Sequence, residues 1–338
     1  MALNKRLFYA VMQAGFAKLG ETSYTAIHGL QSIGVTTRFN LEQVFEIGQI
    51  SLYENIENLP DVEVQLEKVL DGYPLAYHLA TNGATSATLS GRSNVKSILS
   101  ICYFTDTQDA ASGTPLRQCN ISGVYPSQWQ LNVPTEGNTT EQLTLVGNNK
   151  AWLSGSFTFT GAFNNTDAPI GTGGVQRRED IRFGNTSTSC RLPQEIPGIS
   201  PSGYNERPAG GDYGAHIQSI RVSVNLGREN LFELGRRGPY HRFVNFPTEV
   251  RSEFECYCTE GDMVRADEDA EANIYNRTII LYFNEGTKVN LGTSNKLESS
   301  VQGGGNAGGG GSNNVTNTYS FVNFNDLTVT HPNDPSAL

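Results

Sequence analysis

Basic charge is in deficit in this sequence. Against 34 acidic residues it sets 24 Lys and Arg, a formal net charge of -10. That balance argues against a protein that wraps nucleic acid, which needs clustered Lys and Arg to replace phosphate counterions. An acidic wall can still face DNA, because like charge keeps a polyanion from sticking to it. No run of about 18 apolar residues occurs, so no membrane span is expected. The stretch Met1 to Leu19 loosely mimics a secretory signal, but Gln13 interrupts its apolar run and Lys18 follows it. It reads as an N-terminal arm that packs on the fold or on a neighbour.

Cysteine is also sparse. Cys102, Cys119, Cys190, Cys256 and Cys258 are odd in number and irregular in spacing, so no secreted disulfide framework is expected. Buried free thiols are the expectation, because no paired spacing for zinc is present. The five histidines (His28, His78, His216, His241 and His331) show no metal-ligand spacing. There is no Gly-x-Ser-x-Gly nucleophile elbow. Glu63 and Glu67 lie on a strand-like segment and read as a solvated face, not as a glycosidase pair. We therefore expect no catalytic residues, no metal and no cofactor.

What the sequence has is glycine, 36 residues of it, with 37% hydrophobic and 17% charged residues. Low charge with abundant Gly, Thr, Ser and Asn suits short strands joined by turns. Apolar residues are too plentiful for a disordered chain, and 338 residues suffice for two domains.

The chain also repeats itself. The segment Leu30–Gly48 recurs, without a gap, as Ile217–Gly235. Gln31, Ser32, Ile33 and Val35 meet Gln218, Ser219, Ile220 and Val222, and Glu42, Phe45, Glu46 and Gly48 meet Glu229, Phe232, Glu233 and Gly235. The register continues through Tyr53 with Tyr240, Asn58 with Asn245 and Pro60 with Pro247. Such a match marks an internal duplication.

Residues 31–39 and 218–226 alternate as half-buried strands. Asn40 is placed to cap a short helix carrying Leu41, Val44 and Phe45 and ending at Gly48, and Gly227 to Gly235 repeats that pattern. Further strands are expected at Val62–Leu66, Val95–Phe104, Gln128–Val133, Glu141–Val146 and Ala151–Thr160. In the second half they are expected at Val250–Cys258, Thr278–Phe283, Lys288–Leu291, Thr318–Phe321 and Leu327–Thr330. The expected fold is mainly β: two similar sandwich or barrel domains, each with a short flanking helix, joined by a long irregular connection. The boundaries are 1–160 for the first domain and its arm, 161–211 for the connection, and 212–338 for the second domain. Gly303 to Gly311 reads as a flexible hairpin tip, since no Lys follows it as in a phosphate loop.

The runs Phe45–Gly72, Asn138–Trp152 and Gly235–Tyr240 resemble the tail tube proteins of tailed phages. The resemblance implies a domain whose sheet joins those of its neighbours into a continuous inner wall, in stacked rings of six domains. With two domains per chain, three chains would complete a ring. It further implies a virion protein, assembled in the cytoplasm of a host bacterium, that conducts DNA without specific binding. Its partners would be itself, the tape measure, the baseplate or tail tip, the terminator and a sheath where one exists. The competing reading is another virion part, such as a baseplate ring, adhesin or capsid decoration protein with a carbohydrate-binding role.

Two residue groups follow from this reading. Glu54, Glu57 and Asp61 in the first copy, and Arg236 and Arg237 in the second, are expected to meet between domains or rings. Glu63, Gln65 and Glu67, alternate residues of one strand, are expected to face the lumen. The two copies differ in these charges, so a ring would alternate two kinds of contact.

Overall fold

The computed structural model describes residues 7, 9–104, 115–155, 157–159, 174–183, 187–193, 196, 199, 216–258, 261–266, 276–304 and 314–336. Most of the expected 161–211 connection and of the Gly-rich tip lies outside them. The first half contributes β1 (Met12–Lys18), β2 (Thr25–Ala26), β3 (Leu30–Arg38), β4 (Leu41–Phe45), β5 (Leu52–Glu57) and β6 (Asp61–Val69). Two short helices follow, α1 (Ala76–Ala80) and α2 (Leu89–Ser93), then β7 (Ser97–Tyr103), β8 (Arg117–Pro134), β9 (Thr140–Gly147) and β10 (Asn149–Leu153). The second half contributes β11 (Ile217–Asn225), β12 (Arg228–Leu231), β13 (His241–Val244), β14 (Glu249–Tyr257) and β15 (Ile280–Tyr282). It ends with β16 (Lys288–Asn290), β17 (Lys296–Gly303), β18 (Thr316–Phe324) and β19 (Thr328–Thr330).

The fold is mainly β, in antiparallel sheets that form no closed barrel among the described residues. Its largest sheet runs through both halves in the order β17-β18-β14-β11-β8-β9-β6-β3, four strands from each half. A second layer covers one face of it: β10, the start of β8, β7, β1 and β2 in the first half, and β15, β16 and β19 in the second. The 18-residue strand β8 belongs to both layers, pairing with β7 and β10 through its first part and with β9 and β11 through its last. Between the layers lie Val62, Val64, Leu66, Trp129, Leu131, Leu143 and Leu145 from the first half, and Val222, Val224, Phe254 and Phe321 from the second, all buried.

The helices expected at Asn40–Gly48 and Gly227–Gly235 are not formed. Both segments are β-hairpins, β4–β5 and β12–β13. Asn40 does not cap a helix: its side-chain amide donates to the Leu59 carbonyl (3.0 Å) and to Asp61 (2.9 Å). Gly48 and Gly235 are turn glycines at φ +96° and +80°, a conformation that favours glycine at a hairpin tip as much as at a helix end. Among the described residues the two α-helices lie elsewhere, in the first half. α1 starts where the buried Glu141 carboxylate accepts from the Ala76 and Tyr77 amides (2.7 and 3.0 Å). The same carboxylate accepts from the Trp129 indole (2.9 Å).

Within the expected N-terminal arm, whose first six residues lie outside the described ones, Met12–Lys18 form a strand. β1 pairs with β7 from Met12↔Tyr103 to Lys18↔Ser97. It is buried nearly throughout, so it lacks the alternation of a half-exposed strand. All five cysteines are free thiols, and Cys102, Cys119 and Cys256 are buried.

Candidate functional site

The strand registers carry the repeat well beyond the matching residues. In the first half β3 pairs with β6 as Ser32↔Glu67 and Ile33↔Leu66, and in the second β11 pairs with β14 as Ser219↔Glu255 and Ile220↔Phe254. Both ladders are bulged at the equivalent place, after Leu30 and after Ile217. The hairpins match as well, with Leu41↔Glu57 and Val44↔Glu54 answered by Arg228↔Val244 and Leu231↔His241. The end of β8 and β17 are equivalents too. Tyr125↔Val146 and Pro126↔Leu145, then a bulge, correspond to Lys296↔Val322 and Leu297↔Phe321, then a bulge. A bulge fixes local twist and register, so its recurrence marks one backbone design used twice.

This equivalence defines two edges. Inside the chain, β8 of the first half pairs with β11 of the second, from Asn225↔Gln128 to Ser219↔Pro134. The repeats of these two strands are β17 and β3, and both lie at the ends of the large sheet with no strand beyond them among the described residues. Burial records the difference. Leu226, covered at the inner seam, is 0% exposed, whereas its counterpart Phe39 is 73% exposed. Val222 and Val224 are buried, but Val35 and Thr37 are only partly covered. A bare strand edge presents a row of unpaired amides and carbonyls and templates pairing with another chain.

The outer face of the large sheet is a polar trough. Glu63, Gln65 and Glu67 lie on it together, because Val62, Val64 and Leu66 alternate with them into the core. Ser32 and Glu67 are 3.5 Å apart across the β3–β6 ladder, and Gln65 donates to Glu63 (2.9 Å). A hollow of about 460 Å³ opens here, lined by Ser32, Gly34, Gln65, Glu67, Gln142 and Thr144 among others. In the second half the same face carries Glu249, Arg251, Glu253 and Glu255, with Arg221 4.0 Å from Glu253. Arg38 completes it. Five glutamates therefore stand against three arginines on these strands, an acidic excess.

The other expected group is brought together in part. Arg237 does reach Glu57, but its guanidinium donates to the backbone carbonyl (3.0 Å) and not to the carboxylate. Arg236 pairs with Glu233 of its own hairpin (3.2 Å). Asp61 lies 3.8 Å from Arg242, a partner the sequence did not single out. Glu54 is exposed on β5.

The inner seam is instead held by residues of β12 and β13. Arg228 donates to the carbonyls of Pro126 (2.6 Å), Arg242 (3.0 Å) and Ser93 (2.7 Å), and stacks over Tyr125. Burial lowers its pKa to about 10. His241 Nδ1 and the Tyr125 hydroxyl are 2.9 Å apart. The lone signal for these residues in the sequence was their place in the repeat.

Among the described residues, no group of three or more His, Cys, Asp and Glu is placed to hold a metal. Among the described residues, no helix is long and apolar enough to cross a membrane.

No protein-family model matches the chain, and no curated protein matches it. Among solved structures it is similar to the baseplate of the anti-feeding prophage at 13% identity and a TM-score of 0.34, over 45% of this chain and 98% of that one. It is similar to the tube-terminating cap of the same particle at 13% identity and a TM-score of 0.34, over 46% and 95%. A third is the sheath–tube complex of an extracellular contractile injection system in its extended state, at 11% identity and a TM-score of 0.34, over 46% and 95%.

Proposed function

We propose that this chain is a structural protein of a tailed-phage virion. Three copies close head to tail into a ring, and rings stack into a tail tube. The observation that carries this is the pair of free edges: β17 and β3 are the repeats of β8 and β11, which already pair inside the chain. Whatever places one half beside the other within a chain places the next chain in the same relation, and such a repeated step closes into a ring when six of them complete a full turn. Three chains supply six halves, the number that the resemblance to tail tube proteins implies. The polar trough then forms the bore. Its acidic excess suits a wall past which DNA slides without being held.

Stacking follows from the hairpins. Ile47 and Leu234 occupy equivalent tip positions in β4–β5 and β12–β13, and both are fully exposed. Six such tips per ring would offer apolar anchors to the ring above or below.

Electron microscopy of the purified recombinant protein, with native mass measurement, tests the reading. Rings with the mass of three chains, alone or stacked as hollow tubes, are expected. A persistent monomer that binds glycans would overturn it in favour of an adhesin-like virion part.

A further inference from the structure

The inner seam is more than a strand ladder, because the β12–β13 hairpin also lies on the first half. Arg228 reaches the Pro126 carbonyl, His241 meets Tyr125, and Gly238 rests near Leu59. Every one of these positions has a counterpart at the free edges. The strand registers put Leu41 where Arg228 stands and Glu54 where His241 stands. On the receiving side they put Leu297 for Pro126 and Lys296 for Tyr125. The sequence repeat adds Ile50 for Arg237 and Phe246 for Leu59.

The counterparts differ in character from the originals. Where the inner seam has Arg228 and Arg237, its repeat offers Leu41 and Ile50, and Phe246 stands for Leu59; all three are exposed in the single chain. Where the inner seam sets a histidine against a tyrosine, its repeat sets a glutamate against a lysine. Glu54 and Lys296 are both exposed. Arg228, Leu59 and His241 are each partly covered at the inner seam, so their exposed counterparts Leu41, Phe246 and Glu54 indicate a surface that is covered in the assembly.

We infer that the occupant of this surface is a second copy of the chain, with Glu54 of the β4–β5 hairpin pairing with Lys296 of its neighbour while Leu41 and Ile50 cover Leu297 and Phe246. The strand register is set with it. The inner pairs Asn225↔Gln128, Ser223↔Gln130 and Arg221↔Asn132 translate to Arg38↔Ser299, Thr36↔Val301 and Gly34↔Gly303 between copies. This seam rests on the ring reading above and gives it a direction: β3 and its hairpin accept only the β17 side of another copy, because β8 and β11 are already taken. The ion pair selects that neighbour, and the apolar contacts supply most of the attraction.

Charge exchange tests the pairing in the full chain. Glu54→Lys and Lys296→Glu should each raise the concentration at which half the protein is in rings by about three- to tenfold, since each places like charges together at every seam. The double variant should return to within about twofold of the parent. Sedimentation velocity across a concentration series reads this, and matching thermal melts confirm that the exposed substitutions leave the fold intact. Separately, Thr36→Cys combined with Val301→Cys should form a disulfide between copies and yield a covalent three-chain species on a non-reducing gel. The pair Thr37→Cys with Val301→Cys, whose side chains leave opposite faces, should not. Rings that form normally with either single reversal, without rescue in the double variant, overturn the seam and leave the ring reading standing. Failure to assemble at any concentration overturns both.

Discussion

Buried ionisable side chains gather where the end of the second half meets the helices of the first. Arg92 is paired with Asp334, and His78 lies beside them with its Nε2 donating to the Val329 carbonyl (3.1 Å). Burial, then the Arg92 charge, lowers the His78 pKa to about 4, against the opposing effect of Asp334, and nearby His331 lowers it further. The folded state thus favours neutral His78. Its contribution is complete above the ordinary histidine pKa of about 6.5 and is lost as pH falls towards 4. The thermal midpoint should drop across that window, and His78→Gln should flatten this part of the profile in a melt series. Glu141 makes a second prediction. Glu141→Leu leaves the Ala76 and Tyr77 amides and the Trp129 indole without their acceptor, at a cost of about 3 kcal/mol or more in chemical denaturation. Neither cluster was legible in the sequence, because His78 and Val329, or Trp129 and Glu141, meet only through the fold. The common face of Glu63, Gln65 and Glu67 was legible, since period-two alternation needs no tertiary information.

The elements show why periodicity misled at the hairpins. Leu41, Val44 and Phe45 are spaced as a helix stripe, but a bulge between Val44 and Phe45 produces that spacing in a strand that is exposed on both sides. A hairpin with no core beneath it need not alternate, so its pattern carries no strand signal. β17 was missed for the complementary reason. As an edge strand of sequence KLESSVQG it buries little, and its kinship with the end of β8 lies in register and bulge, not in residues. At the hairpin tips, Ile47→Asp combined with Leu234→Asp should leave three-chain rings intact and abolish their stacking. Micrographs showing single rings in place of tubes would bear this out, and unchanged tubes would exclude the tips from the contact.

For the whole molecule, the duplication and the β class were readable from composition and repeat. The continuity of one sheet across both halves was not, because which strand edges meet is decided by packing and not by local pattern. The acidic trough bears on the passage of DNA. Glu63→Lys with Glu67→Lys changes two of its five glutamates to lysine in each chain, and assembled tubes of that variant should retain double-stranded DNA fragments in co-sedimentation at low salt. Parent tubes should not, and a parent that does retain DNA would contradict a lumen on this face.

The inner seam between β8 and β11 has one more consequence. Its two partners are tethered by the chain, so their effective concentration does not fall on dilution, whereas that of β17 and β3 does. In a three-chain ring every second joint would therefore survive dilution, and breakage would proceed in whole chains. A variant with β3 blocked and β17 intact could still add to one end of a growing arc. It would then act as a chain terminator, and small amounts of it mixed with parent protein should poison ring closure out of proportion to their abundance.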